Sequence, residues 1–178
     1  MIDIDIRLEP DGIKRLADKL LKLRVNLEVQ AKTALKQVGE QYYEIVVSRM
    51  GEYRGGEMVF VDVYWKELSG IWLEEKRKKG LVEEIWEATG EIKSNVRIFD
   101  AVKTTNGWSV FVGLKGVSPD VMAKAVRNEF GATFGDSRVP ARPLFEPAKR
   151  EMIYNPTEKA RIIEAFRGAV KVAISGIR

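Results

Sequence analysis

The sequence predicts an α+β fold, and three observations carry that expectation. A stretch from about Ile13 to Arg49 has unbroken helical periodicity, β-rich runs flank Asn106-Gly107, and proline-marked helix starts recur through the last third. Together they predict a long N-terminal amphipathic helix packed on a small antiparallel sheet with a central Asn-Gly hairpin, followed by C-terminal helices. With 178 residues and 45% hydrophobic content, the chain suits a single domain spanning 1–178.

Ile2, Ile4, Ile6 and Leu8 alternate with Asp3, Asp5 and Arg7, which predicts a half-buried strand closed by Pro10-Asp11-Gly12. Apolar or small residues then recur at Leu16, Leu20, Leu23, Leu27, Ala31, Ala34, Val38, Tyr42 and Ile45. The mean step is about 3.6 residues, so the stripe stays on one face of a straight helix. At 1.5 Å per residue this helix would span roughly 55 Å, beyond the ~30 Å of a small domain. It must either break near Gly39 or project toward a neighbouring subunit.

Beyond the glycines at 51, 55 and 56, Met58 to Trp65 predicts one short strand. Ser69 is placed to cap a helix through Ile71, Trp72 and Leu73 that ends in Lys76, Arg77, Lys78 and Lys79, with Gly80 as its stop. A helical turn over Glu91 to Asn95 leads into the hairpin. A type I′ turn at Asn106-Gly107 would pair Thr105 with Trp108, Ala101 with Val112 and Phe99 with Leu114, and would set Lys103 opposite Val110. Ser118-Pro119-Asp120 begins a helix that should stop near Gly131. Pro147 opens a short helix through Met152. Asn155-Pro156-Thr157-Glu158, with an acid placed for a capping box, starts a last one that packs Ile162, Ile163, Phe166, Val170 and Ile174 on the body.

Composition narrows the chemistry. The chain has no cysteine, which excludes disulfides, thiolate metal cages and a cysteine nucleophile; it has no histidine, which excludes serine-histidine-acid triads and the zincin arrangement. Acidic pairs such as Asp3/Asp5, Glu74/Glu75 and Glu83/Glu84 fit solvated surface, and the glycines at 51 to 56 lack a phosphate-loop ending. The tryptophans at 65, 72, 86 and 108 fit core packing or a subunit contact better than base stacking. An acidic N-terminus and the lack of any apolar run near 18 residues lead us to expect no signal peptide and no membrane contact. No catalytic residue, cofactor or metal is expected.

The densest specification lies between Glu129-Phe130-Gly131 and Pro140-Ala141-Arg142-Pro143-Leu144-Phe145-Glu146-Pro147-Ala148. Prolines at 140 and 143 fix their own φ and bias Val139 and Arg142 toward extended backbone, so a guanidinium with five donors is presented at low ordering cost. Phe130, Gly131, Arg138, Pro140, Arg142, Pro143, Leu144 and Phe145 are the candidate assembly residues, and Arg142 could equally be a clamp within its own domain.

These residues resemble the tail-component and tail-completion proteins of tailed bacteriophages, the HK97-type family and the related virion morphogenesis family of Mu-like phages. The similarity rests on Phe130-Gly131 with Pro140 through Phe145, on Trp65-Lys66-Glu67-Leu68-Ser69 with Trp72-Leu73 and Lys76, and on Thr89-Gly90-Glu91-Ile92 with Asn95-Val96, in that family's order. Residues 51–80 read as an insertion in a single tail-completion-like domain. The resemblance implies a non-enzymatic structural protein of a phage or prophage virion, a tail-completion or head-tail neck component. Its partners would be other neck or tail proteins and further copies of itself in a ring, with DNA only as cargo through a channel. It would reside in the virion, and in the host cytoplasm during assembly.

One alternative belongs to another class. Thirty basic against twenty-six acidic residues give a net charge of +4 and a pI near 9.2. Lys76 to Lys79 with Arg161, Arg167, Lys171 and Arg178 could form a nucleic-acid surface with steeply salt-dependent affinity. The other reading of Lys76 to Lys79 is that cations in a last turn complement the helix dipole.

Overall fold

A computed structural model describes residues 10–53, 55–86, 90–105 and 107–176, so the alternating segment from Ile2 to Leu8 lies outside the described residues. The first helix, α1, runs without a break from Pro10 to Arg49. It continues through Gly39, where a Cβ would meet the side chains of Val110 and Ile98 at 3.0 and 3.1 Å, so a neighbouring strand fits tightly against the helix there. Its forty residues span about 60 Å. Pro10, Asp11 and Gly12 form its first turn, as suits a proline whose missing N–H is one that no helix start can use.

The elements that follow are an α+β set: hairpin β1 (Glu57–Phe60) and β2 (Val63–Trp65), α2 (Gly70–Lys78), the single turn α3 (Glu91–Ser94), strands β3 (Val96–Ile98), β4 (Val102–Thr104), β5 (Gly107–Ser109) and β6 (Val112–Leu114), and α4 (Pro119–Phe130). A small hairpin, β7 (Ala132–Phe134) with β8 (Ser137–Val139), precedes α5 (Phe145–Tyr154) and α6 (Pro156–Ser175). Among the described residues the ladders are antiparallel pairs: β1-β2, β3-β6, β4-β5 and β7-β8.

Helix starts follow local chemistry. Ser69, Ser118 and Asn155 each accept a hydrogen bond from a first-turn N–H, of Trp72, Val121 and Thr157 respectively. Glu158 directs its carboxylate to Gln41 and Arg161 instead of back to its own cap.

Several expectations are corrected. Met58 to Trp65 is two strands, turned at Val61-Asp62, which places Val59, Phe60, Val63 and Trp65 in the core. The central hairpin pairs Thr104 with Gly107, Lys103 with Trp108 and Val102 with Ser109, and then Val96 with Leu114 and Ile98 with Val112. Gly107, at φ +131°, belongs to the strand and so moves the loop one residue earlier. The offset between the two ladders falls at Phe99 to Ala101, where the pairing changes register. Helix α5 begins at Phe145, two residues before Pro147, and the polar loop after Gly131 is the β7-β8 hairpin.

The last correction concerns α6. It runs back along α1 from the level of Gln41, which donates to the Glu158 carbonyl at 2.9 Å, to Asn26, beside Gly176. The face turned inward carries Ile162, Ala165, Ala169 and Ala173, with Ala173 fully buried. Small side chains let two helix axes approach closely, and this favours them at the seam. Ile163, Phe166, Val170 and Ile174 are left on the outside.

The core gathers at the C-terminal end of α1, where Val46 and Met50 meet Trp65, Ile85, Trp86, Val96, Leu144 and Ala148. The β1-β2 hairpin joins it through Val59, Phe60, Val63 and Trp65, whereas α2 has no buried residue. The other end of α1 extends past α6, with Leu16, Leu20, Leu21 and Val25 each more than half exposed.

Candidate assembly interface

The corner between α4 and α5 is fixed from several directions. Gly131 ends α4 at φ +77° and ψ 174°, a conformation essentially reserved for glycine. A Cβ on it would lie 2.9 Å from the Val139 carbonyl oxygen and 3.0 Å from the Ala141 nitrogen, so the returning strand of β7-β8 packs directly on its backbone. The Arg142 N–H donates to the Asn128 carbonyl at 2.6 Å and ties the loop to the last turn of α4. Leu144 cannot cap α5 with its own side chain. Glu129 supplies the cap: one carboxylate oxygen accepts from the Leu144 N–H at 2.8 Å and from the Phe145 N–H at 3.3 Å, and an anion at a helix N-terminus is favoured by the dipole.

Arg142 points inward. The residue is only 4% exposed; Nε donates to the Lys66 carbonyl at 3.0 Å and Nη2 to the Glu67 carbonyl at 3.1 Å. Burial pulls its pKa down from the ordinary arginine value, the sign of a cation taken out of water. Two tryptophans secure the same loop from the other side: Trp86 Nε1 donates to the Arg142 carbonyl and Trp65 Nε1 to the Pro143 carbonyl, both at 2.9 Å. Both indoles are almost wholly buried. Trp86 holds φ at +66°, an unusual conformation for a bulky residue, with its ring edge-on to Phe145 at 5.9 Å. The Tyr42 hydroxyl donates to the Phe145 carbonyl at 2.8 Å, and burial, then Glu129 and Glu146, push its pKa well up.

Of the residues singled out from the sequence, Arg142 and Leu144 are buried, while Gly131, Pro140, Pro143 and Phe145 are half-buried. Arg138 is exposed on β8, and Phe130 is 77% exposed at the end of α4. Phe130 rims an open apolar groove of about 580 Å³ whose walls include Trp86, Leu114, Met122, Val126 and Phe145. The corner thus spends its polar groups on its own chain and turns apolar surface outward. Sequence reasoning missed Glu129, Trp65 and Trp86 as its supports. A buried indole needs an acceptor, and proline-bracketed carbonyls released from regular pairing are natural ones.

The basic cluster is largely matched by its own chain. Lys76 donates to the Glu84 carbonyl at 2.8 Å, Arg77 pairs with Glu83 at 2.6 Å, and Lys78 and Lys79 pair with Glu74 and Glu75 one turn back. Arg161 reaches Glu44 and Glu158, both at 3.1 Å. Arg167 and Lys171 stand exposed on α6, and Arg178 lies outside the described residues.

Among the described residues no group of three or more Asp or Glu side chains converges to hold a metal ion, and no helix is long and apolar enough to cross a membrane. Comparison with known proteins finds no family model, no curated protein and no solved structure that matches this chain.

Proposed function

We propose that this protein is a structural component of a phage or prophage virion, of the tail-completion or head-tail neck type, acting by shape and by contact with further subunits. The observation that carries the reading is the geometry at Phe130. A large aromatic stands in solvent at the end of a helix whose position is fixed by Gly131, Arg142 and Glu129, beside an apolar groove. Rigid apolar anchors lose little freedom on docking, which is what a subunit contact requires. The ordered motifs that resemble phage tail-completion proteins supply the biological setting. Within that reading, the buried clamp at Arg142 sets the angle of the corner, and Phe130 with its groove meets a neighbouring virion protein. Quantitative mass spectrometry of purified particles checks it: the chain should be present at a fixed, ring-like copy number, and its absence from particles would refute the reading.

A further inference from the structure

The groove beside Phe130 is lined by two elements of matched length. One is α4, whose Met122, Val126 and Phe130 follow at steps of four residues and are all exposed, an apolar stripe about 12 Å long. The other is β6, Val112 to Leu114, about 10 Å of strand.

That strand presents a bare edge. Among the described residues it pairs only with β3. The Phe99 N–H donates to the Phe111 carbonyl and the Lys115 N–H to the Asn95 carbonyl, and these two bonds set the alternation along the ladder. Residues 111, 113 and 115 turn their backbone groups toward β3, so Val112 and Leu114 turn theirs away from it. Among the described residues nothing bonds the N–H or the C=O of Val112 or Leu114, while their side chains pack on the core. Strand edges are ordinarily protected by a charge, a proline or a bulge, and Val112-Gly113-Leu114 carries none of them.

We infer that the groove takes an extended segment of another protein, which adds to β6 as a further strand and sets alternate large apolar side chains against Met122, Val126 and Phe130. Bonds to the Val112 and Leu114 backbone hold the segment, and the groove selects its side chains. Charge narrows the occupant. The lining includes two carboxylates, Glu129 and Glu146, and no cation. Glu129 is spent on the start of α5, whereas Glu146 is exposed and meets Lys149 at 3.7 Å. The segment therefore carries a lysine or arginine toward Glu146. The alternating run from Ile2 to Leu8 is the rival occupant, but Asp3, Asp5 and Glu9 outweigh Arg7 and would face the same carboxylates. Within one chain it is also too far away: Gly39, where α1 meets the strands, lies about 43 Å along the helix from Pro10, beyond the ~30 Å that nine extended residues span. The inference names the chemistry of the partner at the contact proposed above, and rests on that reading for the partner being a virion protein.

A random heptapeptide library selected on the full chain tests it. Enriched sequences should carry large apolar residues at alternate positions and a lysine or arginine at one end. The best of them, made synthetically, should slow amide hydrogen exchange at Val112 and Leu114 about tenfold and leave Gly113, already bonded to β3, unchanged. Val126→Arg, on the exposed face of α4, should abolish binding with the thermal melt unchanged, and Glu146→Gln should weaken it about threefold. Four results overturn the inference: no enrichment over an unrelated protein, apolar residues enriched at three- and four-residue spacing, which would mean a helix in the groove, unchanged exchange at Val112 and Leu114, or a synthetic copy of residues 1–9 that binds as tightly as the selected peptide, which would mean strand exchange between copies. The two proposals fail separately. Absence from particles removes the virion role and leaves a peptide site standing, and a groove that takes no peptide leaves the copy number in particles unaffected.

Discussion

Replacing Arg142 by methionine removes the guanidinium and keeps most of the apolar stem. Two hydrogen bonds from a charged donor are lost, those at 3.0 and 3.1 Å to the Lys66 and Glu67 carbonyls. Bonds of this kind contribute about 1.5–3 kcal/mol each, so the gross loss is roughly 3–6 kcal/mol. Part of that returns. The buried cation no longer has to be desolvated, and residues 66 and 67 are exposed, so water can reach the released carbonyls. The net destabilisation should be about 2 kcal/mol, or a fall in Tm of about 4–8 °C for a chain of this size. Urea unfolding at one fixed protein concentration measures it, since association would otherwise shift the midpoint. Arg142→Lys should fall between wild type and Arg142→Met, because an ammonium lacks the planar fork that spans two carbonyls. Arg138→Met is the control: on the exposed face of β8 it should stay within about 0.5 kcal/mol of wild type. If Arg142→Met is as stable as Arg138→Met, the clamp does not hold the corner and the reasoning fails.

Two further predictions concern the same corner. Gly131→Ala places a Cβ against backbone at 2.9 and 3.0 Å as well as in a glycine-only conformation, whereas Gly135→Ala, at φ +54° with open space around it, meets only the left-handed penalty of about 1–2 kcal/mol. Chemical denaturation should show Gly131→Ala to be the costlier by at least ~1 kcal/mol, and equal costs would mean the close approach of 139–141 is wrong. The raised pKa of Tyr42 makes stability pH-dependent in one direction: the contribution is full below about 10, where the unfolded tyrosine is protonated, and is lost as pH rises beyond it. Thermal melts between pH 9 and 11 should therefore decline more steeply for wild type than for Tyr42→Phe, and parallel declines would remove Tyr42 as the cause.

Much of the secondary structure was legible because its signals are local. Ser69, Ser118 and Asn155 cap helices where a hydroxyl or amide precedes the helical pattern, and Gly131 stops α4 where only glycine fits. The hairpin register was not legible, since Asn106-Gly107 offers more than one loop position and an extra residue at Phe99 to Ala101 offsets the ladder at the turn from that of Val96 to Ile98 with Val112 to Leu114. The inward face of α6 was misread for a physical reason: burying large residues is the rule for a helix on a sheet, but a helix alongside another gains more by close approach through Ala165, Ala169 and Ala173. At the corner, the prolines marked Arg142 as stiffly presented but left open whether it clamps its own domain or reaches a neighbour. Its acceptors lie 75 and 76 residues away in the chain, a pairing that no local pattern encodes.

We propose that this chain acts as a subunit of a viral particle through rigid apolar contacts. Its most direct test is the number of copies per purified particle, counted by isotope-labelled peptides against the major capsid protein. The account predicts a small, constant number that survives washing in high salt, as apolar contacts should. Absence from particles, or a variable amount that salt strips away, would contradict it.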